Sequence, residues 1–456
     1  MAKRAKTQTM FVCESCGEEY LQWEGRCNNC GNWNTLKEIS VTTGGYDPDA
    51  RTTAGTSYSG TNENKPIQLT SIGAGQTERT PSGFREIDRV LGGGIVKGSV
   101  ILLGGDPGIG KSTLLLQVVE RLGRQPGEGN VLYVSGEESP QQIKLRAERI
   151  GVSSPAIQLL AATNVDLIER TVEADKPRLL VIDSIQTMYD PAFPSTPGSI
   201  VQVRESALRI QRMAKKIGVP VVLVGHITRE GTIAGPRTLE HLVDVVLYLE
   251  GDAQHELRIL RAVKNRFGDA TETGIFAMEE QGMVEIDSPA VFLLSERVKA
   301  PGSVLSAVME GTRPMLIEVQ ALTTPSLFGY PRRTASGFDL NRLNLLIAVL
   351  QKHAGVNLSA QDVFVNIIGG LKVKDPAIDA AICLALASSF QEVALSDNLC
   401  VLGEVGLAGE IRRVAQEERR RKEIESLGYT VADGTKQLRQ LISTHLKGTP
   451  KRIPKD

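Results

Sequence analysis

At 456 residues the chain is too long for one ordinary domain, and two or three are expected. Charged residues make up 23% of it and sum to a net charge of −1, so any nucleic-acid surface must be local. Six cysteines in a chain this long do not suggest a disulfide scaffold. No apolar run is long enough for a membrane span, and the start carries no charged-then-apolar signal. A soluble cytoplasmic protein with no membrane partner is expected.

Residues 1–36 read as a separate small module. Cys13-x-x-Cys16 and Cys27-x-x-Cys30 form a doubled knuckle pattern, which puts four thiolates around one tetrahedral zinc ion. So short a module buries too little apolar surface to fold alone, so the metal would supply its folding energy. Four cysteine ligands leave no open position, which makes the zinc structural. Both tryptophans, Trp23 and Trp33, lie here and are expected to pack on the knuckles. Residues 37–65, rich in Thr, Ser, Gly and Asn, read as a flexible linker.

Residues 66–288 read as a nucleotide-binding core. Val100–Leu103 suits a buried parallel strand, and Gly105-x-x-x-x-Gly110-Lys111-Ser112 follows at once, then a leucine-rich helix. Strand, glycine loop and helix together make a phosphate site: loop N–H groups and the helix N-terminus direct positive dipole at the ligand. Lys111 would reach the β and γ phosphates of ATP, and Ser112 would ligate Mg²⁺. Val131–Val134, running into Ser135-Gly136-Glu137-Glu138-Ser139, is a second strand. Leu179–Asp183 is a third, ending in a Walker B acid that holds Mg²⁺ through water. Val221–His226 is a fourth. Alternating strands and helices imply a parallel sheet covered on both faces, with these polar tips at the ligand-binding edge.

Hydrolysis needs a base for the attacking water, and Glu137 and Glu138 are both candidates. His226 suits a γ-phosphate sensor or a locally bonded strand end. The loops Tyr189–Ser199 and Thr228–Thr238, the latter with Arg229 and Arg237, read as flexible, either contacting a nucleic-acid backbone or serving as ordinary surface. In Val263-Lys264-Asn265-Arg266-Phe267-Gly268 two cations lie on one side of an extended segment. Lys264 and Arg266 are candidates to touch a neighbouring subunit's γ-phosphate; a hairpin with solvated charges is the alternative.

Residues 289–456 read as a different domain, with strands at Pro314–Ala321 and Asp362–Ile368, helices at Leu340–Gln351 and Pro376–Ser389, and a glycine-rich strand pair over Val401–Ile411. Arg412, Arg413 and Arg419–Lys422, mixed with glutamates, read as a solvated helix face whose cationic excess would also suit a DNA path.

The four-cysteine module, the segments GGDPGIGKST, VSGEES and KNRFG, and this tail resemble the bacterial RadA (Sms) family of DNA repair proteins over essentially the whole chain. The resemblance implies an α/β fold: a RecA-like P-loop ATPase core, an N-terminal zinc module and a C-terminal Lon-protease-like α+β domain. It implies a hexameric ring that hydrolyses ATP, binds single-stranded and branched DNA, moves on it as a helicase, and promotes branch migration in homologous recombination alongside the RecA recombinase. By the same analogy Gly105, Asp106, Pro107, Gly108, Ile109, Gly110, Lys111, Ser112 and Thr113 bind nucleotide, Asp183 is the Walker B acid, and Lys264 and Arg266 act across a subunit boundary. In the tail, Ala377 falls near the position of Lon's serine, and Gln416–Arg419 offers no lysine to activate one, so a peptidase-inactive domain for ring assembly is expected. An ATP-dependent protease, a signalling ATPase without DNA and a RecA-type strand-exchange filament are the alternatives.

Overall fold

A computed structural model of the chain describes residues 6–13, 19–20, 22–28, 31–43, 68, 78–127, 129–225, 237–251, 256–286, 288–294, 297–327, 330–432 and 435–446. At the N-terminus, β1 (Lys6–Cys13), β2 (Glu19–Tyr20) and β3 (Leu36–Thr43) form an antiparallel sheet in which Lys6 faces Thr43 and Cys13 faces Leu36. The expected linker therefore begins later than residue 37. Its first seven residues are strand, because Ile39 and Val41 alternate with polar neighbours along a β-branched run. The remainder, 44–65, lies outside the described residues.

The chain divides into two units, Met1–Glu250 with Arg258–Glu285, and Gly251–Leu257 with Ile286–Asp456. In the first, β4 (Arg79–Thr80) and β5 (Ile95–Val96) pair around α1 (Arg85–Leu91). Then β6 (Val100–Gly105), α2 (Lys111–Arg124), β7 (Val131–Ser135), α3 (Pro140–Arg149), β8 (Ile157–Ala161), α4 (Val165–Asp175), β9 (Leu179–Asp183), α5 (Ile200–Ile217) and β10 (Val221–Val224) alternate. After β11 (Val245–Gly251), β12 (Leu257–Asn265), β13 (Thr273–Glu279) and β14 (Gly282–Glu285) complete one nine-stranded sheet, ordered β14-β13-β12-β11-β6-β10-β9-β7-β8. From β8 to β11 every pairing is parallel.

Successive residues of a strand face opposite sides, and the core splits accordingly. Ile101, Leu103, Tyr133, Val181 and Val222 pack with Leu114, Leu115 and Val118 of α2 on one face. Leu102, Leu132, Leu180, Ile182 and Leu223 pack with α4 and α5 on the other. Strands buried on both sides explain the uninterrupted apolar runs in the sequence.

The loop Tyr189–Ser199, expected to be flexible, is held down. The fully buried Gln202 amide donates to the carbonyls of Asp190, Phe193 and Ser195 at 3.2, 2.7 and 3.0 Å and accepts from Asp190 N–H at 2.8 Å. Arg209 ties the same loop to α4 through Asp190 at 3.2 Å, Glu169 at 2.7 Å and Asp166 at 2.5 Å.

The second unit opens with α6 (Pro289–Leu294). β15 (Ser303–Glu310), β16 (Arg313–Pro325), β17 (Arg333–Ser336), β18 (Gln361–Ile367), β19 (Leu399–Cys400) and β22 (Thr430–Val431) make a mixed sheet ordered β17-β18-β16-β15-β19-β22. The glycine-rich pair is short, β20 (Glu404–Val405) against β21 (Ile411–Arg412). Helix α7 (Leu340–Val349) runs on into a π-helical turn, and α8 (Asp379–Gln391) is buried from Asp379 to Ser389. Asp379 at its first turn is fully buried and paired with Arg342, and the same Oδ2 also accepts from Val405 N–H at 3.2 Å. Burial raises the Asp379 carboxyl above the usual carboxylate range even with that guanidinium beside it.

The basic run is largely committed to neighbours. Helix α9 (Glu417–Ser426) buries Arg420, which is 2% exposed and bonds Asp375 at 2.6 Å, the Ala307 carbonyl at 2.6 Å and the Ala415 carbonyl at 3.0 Å. Arg421 pairs with Glu417 and Arg412 with Glu410, at 2.9 and 2.6 Å. Among these cations the expected solvated face is reduced to Arg413, Arg419 and Lys422, because the alternating glutamates and Asp375 take the rest. Replacing Arg420 by Met leaves Asp375 and the Ala307 carbonyl without their buried partner. Loss of such a partner costs about 3–5 kcal/mol. Hydrogen exchange of the full chain should show α8 amides deprotected accordingly; unchanged protection would remove Arg420 from the core's supports.

Candidate functional site

The phosphate loop begins where β6 ends. A Cβ on Gly105 would lie 2.5 Å from the Leu249 carbonyl of β11, so only glycine lets the neighbouring strand close in there. Gly110, at φ 110°, caps α2 and lies against Met283, whose methyl would stand 2.6 Å from any added Cβ. The Lys111 ammonium donates to the carbonyls of Gly105 and Asp106 at 2.8 and 3.0 Å. Burial lowers its pKa from the usual lysine value, while Asp183, Asp106 and Glu137 pull the other way. Lys111, Asp183 and Glu137 therefore share one electrostatic pocket at the sheet's C-terminal edge.

The two glutamates part company. Ser139 caps α3 with a reciprocal box, its N–H donating to Gln142 Oε1 at 2.9 Å, and this fixes the preceding turn. Glu138 is drawn into an ion pair with Arg146 one helical stretch further on, and its N–H donates to Ser135 Oγ at 3.0 Å. Glu137 instead accepts from the hydroxyl of the fully buried Ser184, next to Asp183, and acts on Lys111. Asp183 accepts from the Tyr133 hydroxyl at 2.6 Å. Tyr133 is 2% exposed, and burial first, then Asp183, holds its pKa well above the ordinary tyrosine range. These residues fit a magnesium nucleotide: an acid with a second oxygen, Ser112 on the first turn of α2, and a lysine close by. His226 and residues 228–236, with Arg229, lie outside the described residues, as does the side chain of Arg237.

Lys264 and Arg266 are brought together, but away from this loop. Lys264 donates to the carbonyls of Glu240 and Val243 at 2.6 and 2.8 Å, and burial with the nearby Arg266 lowers its pKa. Arg266, half exposed, pairs with the buried Asp244 at 3.0 Å, and Asp244 also accepts from Val100 N–H at 3.0 Å. Val100 starts the six-residue β6 whose far end is Gly105. A strand advances about 3.3 Å per residue, so the cations sit roughly 16 Å from the phosphate loop of their own chain.

In the N-terminal module Cys13 and Cys27 are fully buried in one cluster with Leu36. Their sulfurs meet Thr35 Oγ1 at 3.1 Å and Tyr20 OH at 3.3 Å, hydroxyl neighbours suited to thiolates. Cys16 and Cys30 lie outside the described residues. The tryptophans do not pack inward as expected: Trp23 and Trp33 are 57% and 69% exposed on either side of Gly25, with the Arg26 guanidinium 5.8 Å from the Trp33 ring. A module this small has no interior to hold two indoles.

Residues 66–232 match the family model of an AAA domain, and residues 11–38 match that of a rubredoxin metal binding domain. The chain is 48% identical over 426 residues to the DNA repair protein RadA of Bacillus subtilis (strain 168), covering 93% of this chain and 92% of that protein. It is 46% identical over 430 residues to the RadA protein of Listeria monocytogenes, with 94% and 92% covered. Against that of Brucella abortus it is 46% identical over 439 residues, with the same coverage, 94% and 92%. The chain belongs to the RadA family of DNA repair proteins. It is a DNA repair ATPase of α/β fold with an AAA-type domain, which implies ATP with Mg²⁺, and an N-terminal metal binding domain. Among the described residues no helix is long and apolar enough to cross a membrane.

Several groups at the site carry little signal in the sequence. Tyr133 is the one phenol in an aliphatic strand, and Arg258 the one cation between Leu257 and Ile259. Arg258 is 4% exposed and donates to the Ile109 carbonyl of the phosphate loop at 3.2 Å. Ser184, Arg146 and Asp244 find their partners only through the fold. The different partners of the two glutamates generate a prediction. Glu137→Gln should lower kcat by about 10²–10⁴ with nucleotide affinity kept, as for loss of a general base. Glu138→Gln should leave kcat within a few-fold and loosen α3; equal loss in both variants would refute the distinction.

Proposed function

We propose that this chain is a DNA-dependent ATPase working as a ring-shaped motor in which each active site is completed by a second copy. The carrying observation is the separation of Lys264 and Arg266 from their own phosphate loop, with Arg266 half exposed. That separation and exposure support a role on a neighbour's nucleotide, as an arginine finger plays. The resemblance gives the ring as a hexamer, single-stranded and branched DNA as its substrate, helicase movement and branch migration as its output, RecA as its partner and the cytoplasm as its place.

In this reading the loop from Gly105 to Thr113 holds the triphosphate, with Lys111 leaving its loop carbonyls for the β and γ oxygens. Ser112 and Asp183 would hold Mg²⁺, which would supply positive charge against the phosphates. Glu137, aimed by Ser184, takes the proton of the attacking water, and Glu138 braces the turn through Arg146. Arg266 of the next copy stabilises the charge that grows on the γ-phosphate. Cys13, Cys16, Cys27 and Cys30 hold a structural zinc. The C-terminal unit serves assembly rather than proteolysis: Ala377 is fully buried, and Asp375 beside it is bound to Arg420.

Mixing variants tests the shared site. Lys111→Ala and Arg266→Ala should each lose turnover alone, yet regain part of it when mixed, because an intact loop then meets an intact finger. No recovery on mixing would place Arg266 outside the neighbour's site. Single-stranded DNA should stimulate the wild-type ATPase, and the stimulation should weaken as salt rises; an ATPase indifferent to DNA would favour the signalling reading. Cys27→Ser should release zinc, read as metal per chain by mass spectrometry, and an unchanged content would exclude that ligand set.

A further inference from the structure

Tyr133 and Asp183 stand fifty positions apart in the sequence and meet because their strands are parallel neighbours. In the β7–β9 register Tyr133 lies beside Val181 and Ser135 beside Asp183. Tyr133 and Val181 point to the face covered by α2, and Asp183, two residues past Val181, points the same way. The phenol thus reaches diagonally across one strand spacing, on the side where the phosphate loop and Ser112 begin their helix. Every other residue of β7 is aliphatic or ends at Ser135, and the whole strand is buried. A hydroxyl placed there must find an acceptor. Asp183 Oδ2 supplies it at 2.6 Å, within the range of a close O–H···O hydrogen bond. Oδ1 accepts no hydrogen bond from any described residue.

We infer that Tyr133 is a positioning residue for the magnesium site, its hydroxyl fixing the Asp183 carboxylate so that Oδ1 is the oxygen offered to metal-bound water. The inference rests on Asp183 being the Walker B acid. Without the phenol the carboxylate is free to turn about its terminal torsion, and part of the metal's orientation is lost. With it, one oxygen is occupied before any ligand arrives. Outer partners of metal ligands commonly change metal affinity by tenfold or more.

The test measures metal, not turnover. Mn²⁺ binding to the full chain is followed by electron paramagnetic resonance with a non-hydrolysable ATP analogue present, for wild type, Tyr133→Phe, Asp183→Asn and the double variant. Tyr133→Phe keeps the ring in the core and removes only the hydroxyl. It should weaken Mn²⁺ on the order of tenfold. Asp183→Asn should weaken it at least as much, and adding Tyr133→Phe to Asp183→Asn should cost little more, because the hydroxyl acts through that carboxylate. Wild-type Mn²⁺ affinity in Tyr133→Phe, with Asp183→Asn impaired, overturns the positioning role alone. An equal penalty for Tyr133→Phe in both backgrounds also overturns it, assigning the effect to the fold. Unchanged affinity in Asp183→Asn overturns the Walker B reading and the inference with it.

Discussion

Strand β6 is enclosed on both faces and along both edges, and the site depends on that enclosure. Its neighbours β10 and β11 pair with it in parallel, Val221 beside Val100 and Leu249 beside Gly105. Apolar side chains from α2 and α5 cover its two faces. A strand so held has one place to end, and Gly105 allows that end to press against the Leu249 carbonyl. The glycine loop therefore starts from a fixed point, and α2 leaves it with its N-terminal dipole aimed outward. Parallel pairing then delivers the tips of β7 and β9 to the same edge, which is how Glu137 and Asp183 come to act on Lys111.

Charge is arranged at both ends of this strand. At the C-terminal end a buried ammonium is surrounded by Asp183, Asp106 and Glu137, and meanwhile donates to loop carbonyls. At the N-terminal end Asp244 is buried beneath Arg266 and also accepts from Val100 N–H. Lys215 approaches the same carboxylate at 3.5 Å. A buried carboxylate left without these donors would be costly, so Arg266 of the KNRFG segment is part of the sheet's own support. The segment begins as the last two residues of β12, Lys264 and Asn265, and Arg266 just beyond them pairs with Asp244 at the start of β11.

Strands β6, β7, β9 and β10 were legible because burial on two faces writes an unbroken apolar run. Strand β8 was not: it lies at the sheet's margin, and its pattern of partial exposure resembles an irregular segment. Strand β3 is hidden in the sequence because its threonines and serine outweigh Ile39 and Val41. The phosphate loop was legible as a motif, yet the choice between Glu137 and Glu138 was not, since adjacent residues differ only in which way the turn points them. That direction is set by the Ser139 cap, by Arg146 on α3 and by Ser184 just past β9, and the last two partners come from outside the local pattern. Composition likewise suggested a solvated basic face where Arg420 is in fact interior.

Arg420 also bears on what the second unit is able to do. A serine peptidase with a lysine base needs an amine that gives up its proton readily in a partly desolvated place. A guanidinium does not, because it stays charged throughout the accessible range. Here the segment Lys374–Ala377 is held by Asp375, which caps the turn through Ala377 N–H at 3.0 Å and accepts from Met309 N–H at 3.1 Å. Arg420 completes that arrangement from α9. The same carboxylate thus secures a turn, a strand and a helix, and replacing any partner by a catalytic group would dismantle the support around it. The segment that resembles Lon's serine motif is thus braced by an ion pair between Asp375 and the buried Arg420.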